Sequence, residues 1–117
     1  MIIEFSKEYY LNTDEKNILK TEILYDPSTK KIVNFTIIQF YIDDTRKKHI
    51  IVLHDFSHGC YNVHRYYLGH AMREEKRNTL LSMGLVHQIK KEVKATWKEN
   101  RNHYLMRCLP HELREEH

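Results

Sequence analysis

A predicted β-hairpin at residues 50–68 constrains the fold of this chain more than any other feature of its sequence. Ile50–Phe56 is a run of β-branched and apolar residues, which is typical of a strand. Ser57–Cys60 predicts a tight turn, because Gly59 tolerates the positive φ that a two-residue hairpin loop requires. Tyr61–Leu68 contains three tyrosines and one valine, and it is predicted to be the return strand. The chain is therefore expected to contain antiparallel sheet.

The turn also predicts which residues of the hairpin share a face. We expect the loop to consist of His58 and Gly59, so that Asp55 pairs with Asn62 across the hairpin. Side chains alternate between the faces of a sheet, and Asp55, Asn62 and His64 are therefore predicted to share one face. The opposite face is predicted to take His54, Val63 and Arg65. The further predicted pairs are Ser57 with Cys60, Leu53 with His64, and Val52 with Arg65.

The segments before the hairpin predict more strands of the same sheet. Asn17–Tyr25 alternates between apolar and polar residues, which is typical of a half-buried antiparallel strand. Lys31–Ile42 is longer and apolar on both faces in its second half, which favours a place in the centre of the sheet. Ile2–Tyr10 could be an edge strand or an irregular segment. The prediction is a β-meander of about four or five strands, spanning about residues 17–68.

The hydrophobic period changes to that of a helix in the last third of the chain. Gly69–Arg77 is polar and could be a loop or a first helical turn, and Asn78 is a plausible N-cap. The apolar residues then recur every four positions, at Leu81, Leu85, Ile89, Val93 and Trp97. An amphipathic helix over about 78–100 is predicted to pack on one sheet face. His103–Leu109 could be a strand or a short helix, and the tail after Pro110 a final helical turn. The fold class is α+β, in a single domain over residues 1–117.

Composition limits the classes of protein to which the chain can belong. Its 117 residues are enough for one domain with a core of its own. No apolar run approaches the ~20 residues of a membrane-spanning helix, and the first residues do not form a signal peptide. Cys60 and Cys108 form neither a zinc motif nor a disulfide framework, which favours a reduced cytoplasmic protein. The net charge of +3 permits RNA as a partner without requiring it.

The residue types on the hairpin predict metal-independent cleavage of RNA. Cleavage by the 2′-hydroxyl needs a base, an acid and a cation near the phosphate, and histidines titrate in the range that both proton transfers need. We expect His58 and His64 to transfer the protons, Asp55 to orient a histidine, and Arg65 to bind the phosphate. The tyrosines expected to stack on unpaired bases are Tyr61, Tyr66 and Tyr67. This mechanism requires no metal and no other cofactor.

The same residues allow other interpretations, including one in which the protein catalyses no reaction. The same Tyr- and His-rich surface could belong to a non-enzymatic module that binds RNA or protein. A metal-dependent hydrolase could take its ligands from His54, Asp55, His58 and His64. The Arg65…His70 spacing also occurs in helical ribonucleases of the HEPN type, but here it lies on a predicted strand, and we interpret it as accidental. Cys60 could be a nucleophile, although its place beside a turn explains it equally well.

The order of these motifs resembles that of a known family. Leu53-His54-Asp55 precedes Ser57-His58-Gly59, and His64-Arg65 follows. In this respect Val33–Tyr67 is similar to the central part of the TumE-like toxins and related small prokaryotic proteins. The resemblance implies the toxin half of a two-gene toxin–antitoxin module that acts on RNA, with a DNA-binding antitoxin as partner. A homodimer would also be compatible with such a protein.

Overall fold

The computed structural model describes residues 1–69 and 71–108, and it contains one antiparallel sheet with a helix packed on it. The strands are β1 (Ile3–Tyr10), β2 (Asn17–Asp26), β3 (Lys31–Ile42), β4 (Lys48–Ser57), β5 (Cys60–Arg65) and β6 (Glu74–Arg77), and the helix is α1 (Met83–Arg107). The strands lie in the sheet in their order along the chain. The predicted α+β fold is confirmed, with six strands instead of four or five. His70 and the predicted helical turn after Pro110 lie outside the described residues.

The two strands beyond the predicted number lie at the two edges of the sheet. β1 pairs along its whole length with β2, from Ile3 opposite Tyr25 to Tyr10 opposite Ile18. β6 pairs with the second half of the hairpin. The prediction of a loop or helical turn is therefore wrong for Glu74–Arg77. Its sequence, EEKR, has no apolar alternation, and charged residues of this kind are common on edge strands because they oppose pairing with other chains.

The predicted hairpin is confirmed in both its register and its turn. Asp55 pairs with Asn62, and all the other predicted pairs of β4 and β5 are present. His58 has a φ of +54° and Gly59 a φ of +71°, so that both loop residues are left-handed. Two left-handed residues are characteristic of a type I′ turn, whose twist matches that of the strands beside it.

The helix starts later and ends later than predicted. Its N-cap is Ser82, whose Oγ accepts a hydrogen bond of 3.1 Å from the backbone amide of Leu85. Asn78 is therefore not the N-cap, because a cap must lie where its side chain can reach the free amides of the first turn. The segment beginning at His103 continues α1 as far as Arg107. The predicted apolar stripe is confirmed, and its buried residues within the helix are Leu85, Val86, Ile89, Val93 and Trp97.

The two faces of the sheet have different surroundings. α1 packs over β3 and β4, and the core between them includes Leu19, Phe35, Ile37, Ile51, Val52 and Val63. We call this the helix face. The opposite face, which no described helix covers, is called the open face, and at β4–β6 it carries Leu53, Asp55, Asn62, His64 and Lys76. Within the described residues, no helix has the length and apolarity needed to cross a membrane.

Candidate functional site

The structure divides the predicted site residues between the two faces and the tip of the hairpin. Asp55 and His64 lie together on the open face. Arg65 follows His64 in the same strand and so projects to the helix face. His58 lies in the turn and is exposed. The structure therefore brings two of the four predicted catalytic residues together and separates the other two from them.

Asp55 and His64 are held side by side by the hairpin. The Oδ2 atom of Asp55 lies 3.9 Å from Nε2 of His64, an ion-pair distance that is longer than a hydrogen bond. Asn62 Nδ2 and Ser57 Oγ donate hydrogen bonds of 3.2 and 3.3 Å to Oδ1 of the same carboxylate. Both side chains of the pair remain partly exposed to solvent. The carboxylate is thus fixed where it can orient an accessible imidazole.

Charged side chains of both signs and an aromatic ring lie around this pair, and Glu74 lies directly opposite His64 on the same face. Lys76 pairs with Asn62 across β5 and β6, which places its side chain on the open face. The ring of Tyr66 stacks on that of His64, with their centroids 6.4 Å apart, and the Arg73 guanidinium lies 5.2 Å from the Tyr66 centroid. We call the following residues the open-face cluster: Asp55, His64, Tyr66, Arg73 and Lys76. The sequence interpretation missed Lys76 because it did not recognise β6 as a strand.

His58 is too far along the hairpin to act together with His64. His64 pairs with Leu53, and the turn begins after Ser57, four residues further along β4. At ~3.3 Å per residue, this places His58 at least about 13 Å from the level of His64. The two imidazoles therefore do not meet at one phosphate group in this geometry.

A second polar site lies on the helix face, in a cavity of about 230 Å³ between α1 and the strands β4 and β5. The sheet contributes His54 and Arg65, and Tyr67 follows at the end of β5. The helix contributes Glu92, Glu99 and His103, which the sequence interpretation missed. Their spacing of seven and four residues places them on one flank of a helix, beside the apolar stripe, and this signal could have found them.

His54 forms the buried floor of this cavity. It is 3% exposed, and its Nδ1 atom lies 2.8 Å from the hydroxyl of Tyr61. Burial, helped by the nearby charges of Arg65 and Arg77, lowers the pKa of His54 to about 3, so that the ring is neutral at pH 7. Burial also raises the pKa of Tyr61 to about 12. The phenol therefore keeps its proton and can donate it to Nδ1, and we assign the imidazole hydrogen to Nε2 on this basis.

The predicted base-stacking tyrosines lie in three different environments. Tyr61 is 1% exposed in the core, where its ring is not accessible to a base. Tyr66 belongs to the open-face cluster. Tyr67 lines the cavity, where its ring stacks on His103 at 5.4 Å and its hydroxyl donates a hydrogen bond of 3.2 Å to Oδ1 of Asn100. Burial raises the pKa of Tyr67.

The arrangement does not provide the metal site considered from the sequence. His54 lies on the helix face, whereas Asp55 and His64 lie on the open face. Across residues 1–69 and 71–108, no three His, Cys, Asp or Glu side chains are grouped so that they could hold a metal ion.

No protein-family model matches the chain, and comparison with curated proteins and with solved structures gave no significant match. The resemblance to TumE-like toxins therefore stays a prediction from the motif residues.

Proposed function

We propose that this protein is a metal-independent ribonuclease that acts through the open-face cluster, as the toxin half of a toxin–antitoxin module would. The observation that carries the proposal is the contact between Asp55 and His64, an accessible imidazole beside a fixed carboxylate. Two cations, Arg73 and Lys76, lie on or beside the same surface, and they supply the positive charge that a phosphate group requires.

Each group of the cluster has a role in the proposed reaction. His64 removes the proton from a 2′-hydroxyl, and the 2′-oxygen attacks the adjacent phosphorus. The bond from phosphorus to the 5′-oxygen then breaks, and that oxygen takes up a proton from the imidazolium or from water, which leaves a 2′,3′-cyclic phosphate. Asp55 orients the imidazole and stabilises its charged form. Lys76 takes the role expected of Arg65, because Arg65 lies on the other face.

A cleavage assay tests this function directly. Total RNA and tRNA are incubated in chelator with the wild type and with His64→Ala, and the ends of the products are analysed for cyclic phosphate. We expect His64→Ala to lower the rate by about 100-fold or more, because general acid–base catalysis contributes on this scale. His87→Ala, which removes an exposed histidine of α1, is the matched control and should cleave as the wild type does. If His64→Ala cleaved RNA as fast as the wild type does, the open-face cluster would not be the catalytic site.

The distance between His58 and His64 favours a second candidate, a non-enzymatic module that binds RNA or protein. Without a histidine pair, the open-face cluster still offers cations and a stacking ring for a single strand. In that case the wild type would retain RNA on a filter and leave it intact for hours. Arg73→Ala and Lys76→Ala would then weaken binding and reduce its dependence on salt concentration. A cognate antitoxin would be expected to cover the same surface.

A further inference from the structure

The cavity under α1 has hydrogen-bond donors on one wall and acceptors on the other. The sheet wall includes His54 and Arg65, and the helix wall includes Glu92 and Glu99. A simple anion would be repelled by the carboxylates, and a simple cation by the guanidinium. A matching ligand must therefore carry acceptors and donors on neighbouring edges.

Several side chains of the cavity have hydrogen-bond donors or acceptors that their contacts within the protein do not use. The contact of His54 with Tyr61 uses Nδ1 and does not engage Nε2. The Arg65 guanidinium has five N–H donors, of which the Tyr67 hydroxyl and a single 3.6 Å contact with Glu75 engage only some. Glu92 meets Arg77 at 3.7 Å through one of its two oxygens. Each wall thus retains free donors or free acceptors.

Other groups in the cavity maintain its shape instead of binding. Asn100 accepts from Tyr67 through Oδ1, and its Nδ2 donates to Gln39 and to Thr96. All the polar atoms of this amide are therefore engaged. The same network fixes the Tyr67 ring, which stacks on His103 and forms an aromatic part of the wall.

We propose that this cavity binds a guanine base. The O6 and N7 atoms of guanine are the acceptors that an arginine recognises in bidentate fashion, and Arg65 would take this role. The N1–H and N2–H groups beside O6 are donors that a carboxylate accepts, and Glu92 or Glu99 would take them. Tyr67 offers its ring to the face of the base. Adenine carries a donor at its 6-position, where guanine has an acceptor, and so presents the wrong edge to Arg65.

This site is separate from the open-face cluster, and the proposal holds whether or not the protein cleaves RNA. The guanine could belong to a free nucleotide or to a strand of RNA. Calorimetric titration with guanosine 5′-monophosphate, and with a short RNA that contains one guanine, distinguishes the two sources. The reference titrations use adenosine 5′-monophosphate and the same RNA with adenine in place of guanine.

We expect the guanine ligand to bind more tightly than its adenine counterpart by about tenfold or more. The variants Arg65→Gln and Glu92→Gln/Glu99→Gln should remove that preference, because each changes one edge of the site. Glu4→Gln, which changes an exposed glutamate of β1, is the matched control and should bind as the wild type does. Trp97 fluorescence in urea shows whether each variant is folded.

Guanine preference in the RNA arm alone would support the proposal with RNA as the source of the base. Equal affinity for guanine and adenine ligands would overturn it, as would the absence of binding in both arms. A guanine preference that persists in both cavity variants would also overturn it, because the base would then be recognised elsewhere.

Discussion

The histidines of β4 and β5 show that the face of the sheet on which a residue lies determines its exposure to solvent and its hydrogen-bond partners. His64, on the open face, is accessible beside Asp55. His54, ten residues before it, is buried and bonded to Tyr61 on the helix face. His49 is buried as well, and it joins Asp43 at 2.7 Å to the hydroxyl of Tyr104 at 3.1 Å. Alternation along the strands predicted that His54 and His64 lie on opposite faces, but not which face the predicted helix would cover.

The low pKa of His54 makes the protein less stable in mild acid. The folded ring resists protonation until about pH 3, whereas in the unfolded chain it takes up a proton near the ordinary histidine pKa of 6.5. The pKa is lowered on folding, so that this contribution is present above pH 6.5 and is lost as the pH falls towards 3. Between pH 7 and pH 5, we expect His54 to reduce the free energy of unfolding by about 2 kcal/mol.

Urea unfolding followed by the fluorescence of the single tryptophan checks this expectation at the two pH values. His54→Gln should lose less stability than the wild type between pH 7 and pH 5, by about the same 2 kcal/mol. His58→Gln, at the exposed turn, should retain the wild-type pH dependence. The hydrogen bonds from His49 and Thr45 lower the pKa of Asp43, and its contribution to stability is lost only as the pH falls below the ordinary carboxyl value of 3.8, outside this range. Identical pH dependence in His54→Gln and the wild type would contradict the assignment.

At the scale of the elements, the sequence predicted the strands and the helix that have a recognisable local pattern of turn residues or apolar residues. The two-residue loop, the register of β4 with β5 and the buried stripe of α1 were all predicted. β6 was not, because its four charged residues form a strand only where β5 offers a free edge. The start of α1 was placed four residues too early because Asn78 and Ser82 are both residue types that favour the N-cap.

The hairpin turn should be sensitive to the loss of its glycine. Gly59→Ala keeps a left-handed φ of +71° with a side chain present, which should reduce the free energy of unfolding by about 1–2 kcal/mol. Gly69→Ala is the matched control, because its φ is not left-handed and an added Cβ would meet nothing within 4 Å. Chemical unfolding of both variants measures the difference. Equal stability of the two variants would show that the turn is not under this constraint.

For the molecule as a whole, the packing of α1 covers one face of the sheet and leaves the other open. It also places the two sides of α1 against different strands. One flank of α1 brings Glu92 to Arg77 of β6 at 3.7 Å. The other brings Lys90 and Lys94 over the ring of Tyr9 in β1, at 5.9 and 5.2 Å from its centroid. Opposite charges thus lie on the two sides of the apolar stripe. The acidic flank, together with Arg65, creates the polar cavity.

The docking of α1 should contribute much of the stability of the protein. Ile89 is 1% exposed in the middle of the stripe, and Ile89→Ala would leave a cavity at the contact with the sheet. We expect a loss of about 2–5 kcal/mol in the free energy of unfolding, measured by urea titration with Trp97 as the probe. Lys91→Ala, on the exposed side of the same helix, should change it by no more than about 0.5 kcal/mol. A loss below about 1 kcal/mol for Ile89→Ala would mean that α1 is only loosely attached.

The sequence by itself determined the features that depend on near neighbours along the chain. These are the hairpin with its register, the apolar stripe of the helix and the contact of Asp55 with His64, because strand alternation and a two-residue turn fix such relations locally. The tertiary structure alone decided that β1 and β6 complete the sheet, since an edge strand depends on the backbone groups of its neighbour. It also decided that Glu92 and His103 meet His54 and Arg65 around one cavity. That meeting depends on the angle at which α1 crosses the sheet, which is set by the packing of the whole core.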